Sequence, residues 1–321
     1  MQYKAWNVTG KEGLMAEKIF AARKIVKQYK KTNVLNNFDM EIYRGDIYGF
    51  AGRNGSGKTT LMRILTGMVR QTEGEIEIFG EKNPAKLHIQ RKNIGALVEK
   101  PAFYSGMTAR DNLEVIRLQC GIKEKNCINQ LLEITGLEDT GSKKAGNFSL
   151  GMKQKLGIAI ALMGRPRLLV LDEPVNGLYP EEIFQLRELL KKLNKEHGIT
   201  ILISSHILSE LDQLATCYGF ISRGRMLEQI SSEELMIKCQ PCLSIRTENV
   251  QNTALVLKRM FPDKEFVIVS DSRVNLYGFT GSTKEVVKEL VLNETGVKEI
   301  RAEGASLEKY YMSLMDKESN V

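Results

Sequence analysis

The chain has 321 residues, enough for two domains, and its 42% hydrophobic and 26% charged content is that of a globular protein rather than a disordered or fibrous one. No apolar run approaches the roughly 20 residues that cross a bilayer, and the N-terminus lacks an apolar core followed by a small-residue cleavage site, which argues against a membrane-spanning or secreted chain and for a cytosolic one. The formal charge of +7 is scattered in short clusters such as Lys30-Lys31, Lys143-Lys144 and Lys191-Lys192 rather than gathered into a stripe, so no nucleic acid is expected as partner. Five irregularly spaced cysteines suit a reducing compartment, and the C-x-x-C of Cys239 and Cys242 has no second pair to make a zinc site.

Residues 1–17 show no clean periodicity and read as a lead-in segment. A strand-like run then ends at Tyr29, and an alternating run from Val34 to Ile42 follows across a polar turn, so two paired strands are expected. An aromatic at the end of the first, Tyr29, could stack on a purine ring.

The apolar run Ile47-Tyr48-Gly49-Phe50-Ala51 reads as a buried strand, and Leu61-Met62-Arg63-Ile64-Leu65 as the start of a helix. Between them Gly52-Arg53-Asn54-Gly55-Ser56-Gly57-Lys58-Thr59-Thr60 fits G-x-x-x-x-G-K-S/T without a gap, in the strand–loop–helix context the motif needs. Its glycines let successive backbone N–H groups face inward as an anion nest, and the helix start adds partial positive charge beneath. Lys58 can reach β- and γ-phosphates, and the Thr59 hydroxyl can ligate Mg²⁺.

Residues 74–80 form a short strand bounded by glycines, and Ile94-Gly95-Ala96-Leu97-Val98 is another that delivers Glu99 at its C-terminal end, where ligand groups collect in parallel sheets. Residues 108–137 read as helical from an N-cap at Thr108. Ser149 caps a further helix whose first turn holds Gly151, small enough for close approach of a ligand to the backbone. The continuous apolar run Leu168-Leu169-Val170-Leu171 reads as a central parallel strand. It ends in Asp172-Glu173, two carboxylates that would be costly beside an apolar core unless something positive meets them. Asp172 would then hold the metal and its water shell, and Glu173 would take a proton from an attacking water. A helix begins at Pro180 with a buried stripe of Ile183, Leu186, Leu190 and Leu193, and Gly198 stops it. The strand at 199–204 delivers His206, for which a γ-phosphate contact is expected, and a hairpin around Arg223-Gly224 closes the domain.

These residues resemble the ATP-binding subunit of an ABC transporter over about residues 18–235. The phosphate loop at 52–60, the Walker B strand ending in Asp172-Glu173, a signature-like Ser149-Leu150-Gly151-Met152-Lys153-Gln154 and a switch His206 occur in the family's order. The resemblance implies an α/β P-loop NTPase domain with a β-subdomain and a helical insertion, and ATP with Mg²⁺ as cofactors. Tyr29 matches the adenine-stacking aromatic. Two copies, or this chain and a paralogue, would close head to tail so that Ser149 and Gly151 of one cap the phosphate held by the other. An integral membrane permease is implied as partner, holding the chain at the inner face of the cell membrane.

Three positions depart from the family pattern. Phe148, Leu150 and Met152 replace three of the usual five signature residues, Glu99 stands for a glutamine that contacts Mg²⁺, and Tyr179 stands where an aspartate caps the helix at Pro180. The signature with Glu99 looks like the bacitracin- or lantibiotic-type export branch, so export of an antibiotic peptide or drug is implied. The alternatives are a soluble ATPase of the same family without a permease, or an ATP-binding regulatory module with weak hydrolysis.

Near Gln240-Pro241 the pattern changes. Strands at 243–247, 266–270, 273–277 and 297–302 with helices at 252–261 and 283–292 give the order βαββαβ, which suggests a small ferredoxin-like α+β domain over 240–321, followed by a last helix at 307–315. It carries no nucleophile, metal cluster or phosphate loop, so dimer contact or regulation is its expected role.

Overall fold

The computed structural model describes residues 17–239, 242–279, 281–303 and 307–319; the expected lead-in, apart from Glu17, and the change of pattern at Gln240-Pro241 lie outside them. The chain divides into two compact units, one ending at Ser232 and the other beginning at Glu233.

In the first unit the elements run β1 (Lys18–Tyr29), β2 (Thr32–Tyr43), β3 (Ile47–Ala51), α1 (Lys58–Thr66), β4 (Glu73–Ile78), α2 (Leu87–Gln90), β5 (Ile94–Leu97), α3 (Ala109–Gln119), α4 (Cys127–Thr135), α5 (Leu150–Leu162), β6 (Leu168–Asp172), α6 (Pro180–Lys195), β7 (Thr200–Ser205), α7 (Leu208–Asp212), β8 (Cys217–Ser222) and β9 (Arg225–Ser231). A six-stranded sheet has the order β5-β6-β7-β3-β8-β9, parallel except for the final β8–β9 hairpin. Every residue of β3, β6 and β7 is buried. Strands covered on both faces have no polar side to alternate, which is why they appear in the sequence as unbroken apolar runs.

A second, antiparallel sheet orders β2-β1-β4. One core joins the two sheets: Phe20, Phe38 and Ile78 from the antiparallel sheet, Phe50 from β3, and Leu61, Ile64 and Leu65 from α1 are fully buried together. The Phe38 and Phe50 rings meet edge-on at 5.9 Å between centroids. Each such side chain contributes roughly 1.5–3 kcal/mol by its burial, so the helix that begins inside the glycine loop is anchored along its apolar face.

The helical insertion opens on a reciprocal cap. The Thr108 hydroxyl accepts the Asp111 N–H at 3.1 Å, and the Asp111 carboxylate accepts the Thr108 N–H at 3.1 Å. These bonds hold the Asp111 carboxyl below its usual range. The helical stretch expected over 108–137 consists of two helices, α3 and α4. Gly121 sits at φ +67, and the Ile122 N–H returns to the Arg117 carbonyl at 3.0 Å, which ends α3 before α4 begins. In α6 the buried stripe is Leu186, Leu189, Leu190 and Leu193; Leu189 takes the place expected for Ile183, which is half-buried.

The second unit comprises most of α8 (Ser232–Lys238), then β10 (Cys242–Thr247), α9 (Val250–Met260), β11 (Phe266–Ser270), β12 (Arg273–Tyr277), α10 (Thr283–Leu292), β13 (Val297–Glu303) and α11 (Leu307–Ser319). Its strands form an antiparallel sheet in the order β11-β12-β10-β13. Leu243 and Ile245 of β10, Val274 and Leu276 of β12, Leu257 of α9 and Val286 and Leu290 of α10 build a separate core.

Candidate active site

The loop between β3 and α1 takes a path that only glycine follows easily. Gly57, the residue before α1, has φ 114, and Gly55 has φ 79 with open space where a Cβ would project. Arg53 and Asn54 are exposed at the lip, whereas Gly52, Ser56, Gly57, Lys58 and Thr60 are buried. Among the described residues the Ser56 hydroxyl is buried without a hydrogen-bond partner. The loop ahead of α1 thus combines glycine-only conformations and the free N–H groups of a helix start with open space in front of Gly55, the makings of an anion-binding turn.

Lys58 is 5% exposed, and its Nζ donates to the Gly52 carbonyl at 2.6 Å and the Arg53 carbonyl at 3.3 Å. It also lies 3.1 Å from Glu173 Oε1, a charge contact without hydrogen-bond alignment. On its other side Glu173 meets His206, whose Nδ1 is 2.7 Å and whose backbone N–H is 3.3 Å from Oε2. Glu173 holds φ 49, a left-handed conformation that a non-glycine residue keeps only under constraint.

Asp172 ends β6 and is buried. Its Oδ2 accepts the Thr59 hydroxyl at 2.8 Å, and its Oδ1 accepts the Ser204 hydroxyl at 2.7 Å. Six residues from three sequence regions thus meet: Lys58 and Thr59, Asp172 and Glu173, Ser204 and His206. Adjacency of β3, β6 and β7 in the sheet is what brings them together.

Tyr29 is 40% exposed at the end of β1, with Lys27 Nζ 4.7 Å above its ring. It pairs with Thr32 across the turn, and Val34 and Leu35 of the same hairpin wall the loop at Gly57, so Tyr29 lies at the end of the hairpin that borders the cradle.

Ser149 and Gly151 are arranged differently. Ser149 caps α5 by accepting the Met152 N–H at 3.2 Å and donates to Glu182 Oε1 at 2.9 Å. Gly151 lies beneath the same carboxylate, since a Cβ there would come within 2.6 Å of Glu182 Oε1. Among the described residues neither shares a hydrogen bond with the cradle. Glu182 also accepts the Tyr179 N–H at 3.3 Å, while the Tyr179 side chain is 77% exposed.

Glu99, expected among the metal-holding groups, is engaged elsewhere in this structure. It sits at φ 69 in an ion pair with Arg63 of α1, and among the described residues it has no hydrogen bond to Asp172 or Glu173. A third carboxylate beside two acids would repel them, and Arg63 offers it a cation. Sequence reasoning missed Arg63, Glu182 and Ser204; each is an ordinary residue of its element until the tertiary pairing is seen.

Comparison with known proteins agrees with this geometry. Residues 35–176 match the family model described as ABC transporter. The bacitracin transport ATP-binding protein BcrA of Bacillus licheniformis is 41% identical over 294 residues, covering 91% of this chain and 95% of the relative. The lantibiotic transport ATP-binding protein SrtF of Streptococcus pyogenes is 44% identical over 201 residues, covering 63% of this chain and 86% of the relative. A solved ATP-binding subunit of an ABC transporter superposes with a TM-score of 0.61 at 27% identity, covering 68% of this chain and 92% of that one. Identity at this level along nearly the whole length of a curated relative places the chain in the family: it belongs to the ATP-binding subunits of ABC transporters and is an ATPase.

Proposed function

We propose that this ATPase, closing as a pair over two nucleotides, powers a separate membrane permease that exports an antibiotic peptide of the bacitracin or lantibiotic kind. The observation that carries the reading is the meeting, at the glycine cradle, of Lys58, Glu173 and His206 in one chain of contacts and of Thr59 with Asp172 in another. The names of the similar transport proteins support the cargo. Among the described residues no helix is long and apolar enough to cross a membrane.

The residues present fit a triphosphate and Mg²⁺. The cradle is open in front of Gly55, Ser56 offers an unmet hydroxyl, and Thr59 with Asp172 forms the all-oxygen donor set that suits a hard cation. Bound there, the ion would neutralise charge on the β- and γ-phosphates. Lys58 would leave Glu173 for the phosphates, which frees Glu173 Oε1 to take the proton of the attacking water as ATP and water become ADP and phosphate. His206, already 2.7 Å from the other carboxylate oxygen, would hold the base in place and contact the γ-phosphate. Tyr29 would stack on the adenine. The α5 start of each copy, with Ser149 and Gly151, would cap the phosphates held by the other, where Glu182 now supplies the negative charge. Glu99 reaches the ion only by leaving Arg63. For the domain expected over 240–321 we propose a ferredoxin-like fold and a role in dimer contact or regulation, a reading that the strand order β11-β12-β10-β13 supports.

The test is co-purification from detergent-solubilised membranes of the producing cell. A multi-span membrane protein that raises phosphate release when added back supports the reading, and recovery of ribosomal proteins alone overturns it.

A second reading, ATP binding with weak hydrolysis, draws on Tyr179, which gives α6 no side-chain cap, and on the Arg63–Glu99 pair. Tyr179→Asp should add a cap worth about 1 kcal/mol. In a Glu173→Gln background it is expected to shift ATP-dependent sedimentation toward the dimer; an identical profile with Tyr179 and Asp would show that the missing cap does not limit closure.

A further inference from the structure

Strand β7 places one hydroxyl against both acids. Ser204 is wholly buried and stands in register opposite Asp172. Its Oγ donates to Asp172 Oδ1 at 2.7 Å and accepts the Glu173 N–H at 2.9 Å. A serine hydroxyl has a single proton. With that proton given to Asp172, its lone pair is left for Glu173, so one atom ties the two residues together. The bond to Oδ1 sets the rotation of the Asp172 carboxylate and leaves Oδ2 to Thr59. The bond from the Glu173 N–H helps hold that peptide at φ 49, the turn from which the side chain reaches Lys58 and His206.

A buried serine needs no such partners to be satisfied. The next residue, Ser205, is equally buried and closes a local turn, donating to the Ile207 carbonyl at 3.2 Å and accepting the Ile207 N–H at 2.9 Å. The neighbouring pair therefore separates a hydroxyl that serves its own turn from one that reaches across to another strand.

We propose that Ser204 is a positioning residue for ATP hydrolysis, aligning with one hydroxyl both the carboxylate that receives the divalent ion and the peptide that carries the base. This rests on the roles given above to Asp172 and Glu173. Groups that orient metal ligands typically cost 10–100-fold in metal affinity or activity when lost.

The experiment compares Ser204→Ala, Ser204→Thr and Ser205→Ala with wild type, using a fluorescent ATP analogue titrated in EDTA and then with Mg²⁺, alongside phosphate release and nucleotide-free melting. Ser204→Ala is expected to bind the analogue within about twofold of wild type in EDTA, to need about tenfold more Mg²⁺ for half-maximal effect, and to turn over about tenfold more slowly. Ser204→Thr keeps the hydroxyl and should restore most of the Mg²⁺ response, and Ser205→Ala should respond to Mg²⁺ as wild type does. An unaltered Mg²⁺ titration in Ser204→Ala overturns the proposal. So does an equal loss of affinity with and without the ion, which would mark a packing role. A wild-type protein indifferent to Mg²⁺ would instead bring down the reading of Asp172, and this inference with it.

Discussion

Glu173→Gln is expected to lower ATP turnover at least about 10²-fold while leaving ATP bound, because the amide keeps the shape of the side chain and cannot take a proton from water. Positioned general bases contribute roughly 10²–10⁴ in rate. Glu173 lies between the Lys58 ammonium at 3.1 Å and His206 Nδ1 at 2.7 Å. Neutralising it removes the charge that holds Lys58 away from an incoming phosphate, so affinity should stay level or rise as the rate falls. Opposite movements of two readouts are hard to obtain from a general loss of fold. Equilibrium binding and single-turnover phosphate release, measured on the same preparation, test this. Wild-type turnover in the variant would remove Glu173 from the chemistry, and a parallel loss of binding and turnover would make its role structural.

What could be read from the sequence follows from how local each feature is. The glycine cradle is nine consecutive residues whose geometry depends on φ values, so its residue types announce it. Buried parallel strands reveal themselves as apolar runs, and the acids at the end of β6 stand out against one. The Ser149 and Thr108 caps act within three residues of themselves. The rest depends on which strands become neighbours. The sheet order β5-β6-β7-β3-β8-β9 sets Ser204 opposite Asp172, and nothing in the residues of β7 encodes that pairing. Arg63 with Glu99 and Ser149 with Glu182 likewise join side chains more than 30 residues apart. Helices α2 and α7 are too short for an amphipathic period to emerge. The break after α3 was available in Gly121, but a glycine in a helical pattern announces a stop only when its φ is known.

Lys58→Ala is expected to weaken ATP binding by at least about 30-fold, the lower edge of the roughly 2–5 kcal/mol that follows removal of one partner from a buried charge pair. Two effects add. The side chain is 5% exposed and directed by the Gly52 and Arg53 carbonyls, so its charge is pre-positioned and the phosphates would not have to order it. Without it Glu173 keeps, among the described residues, only His206 as a side-chain partner, and an uncompensated carboxylate then faces the incoming triphosphate beside Asp172. Repulsion by Glu173 should therefore account for part of the deficit. The double variant Lys58→Ala/Glu173→Gln separates the two: if the repulsion is real, it binds ATP more tightly than Lys58→Ala alone, and the cycle yields a coupling between residues that touch at 3.1 Å. Equal affinity of the single and double variants would assign the whole loss to the missing ammonium. Wild-type affinity in Lys58→Ala would mean that the triphosphate does not lie in this cradle.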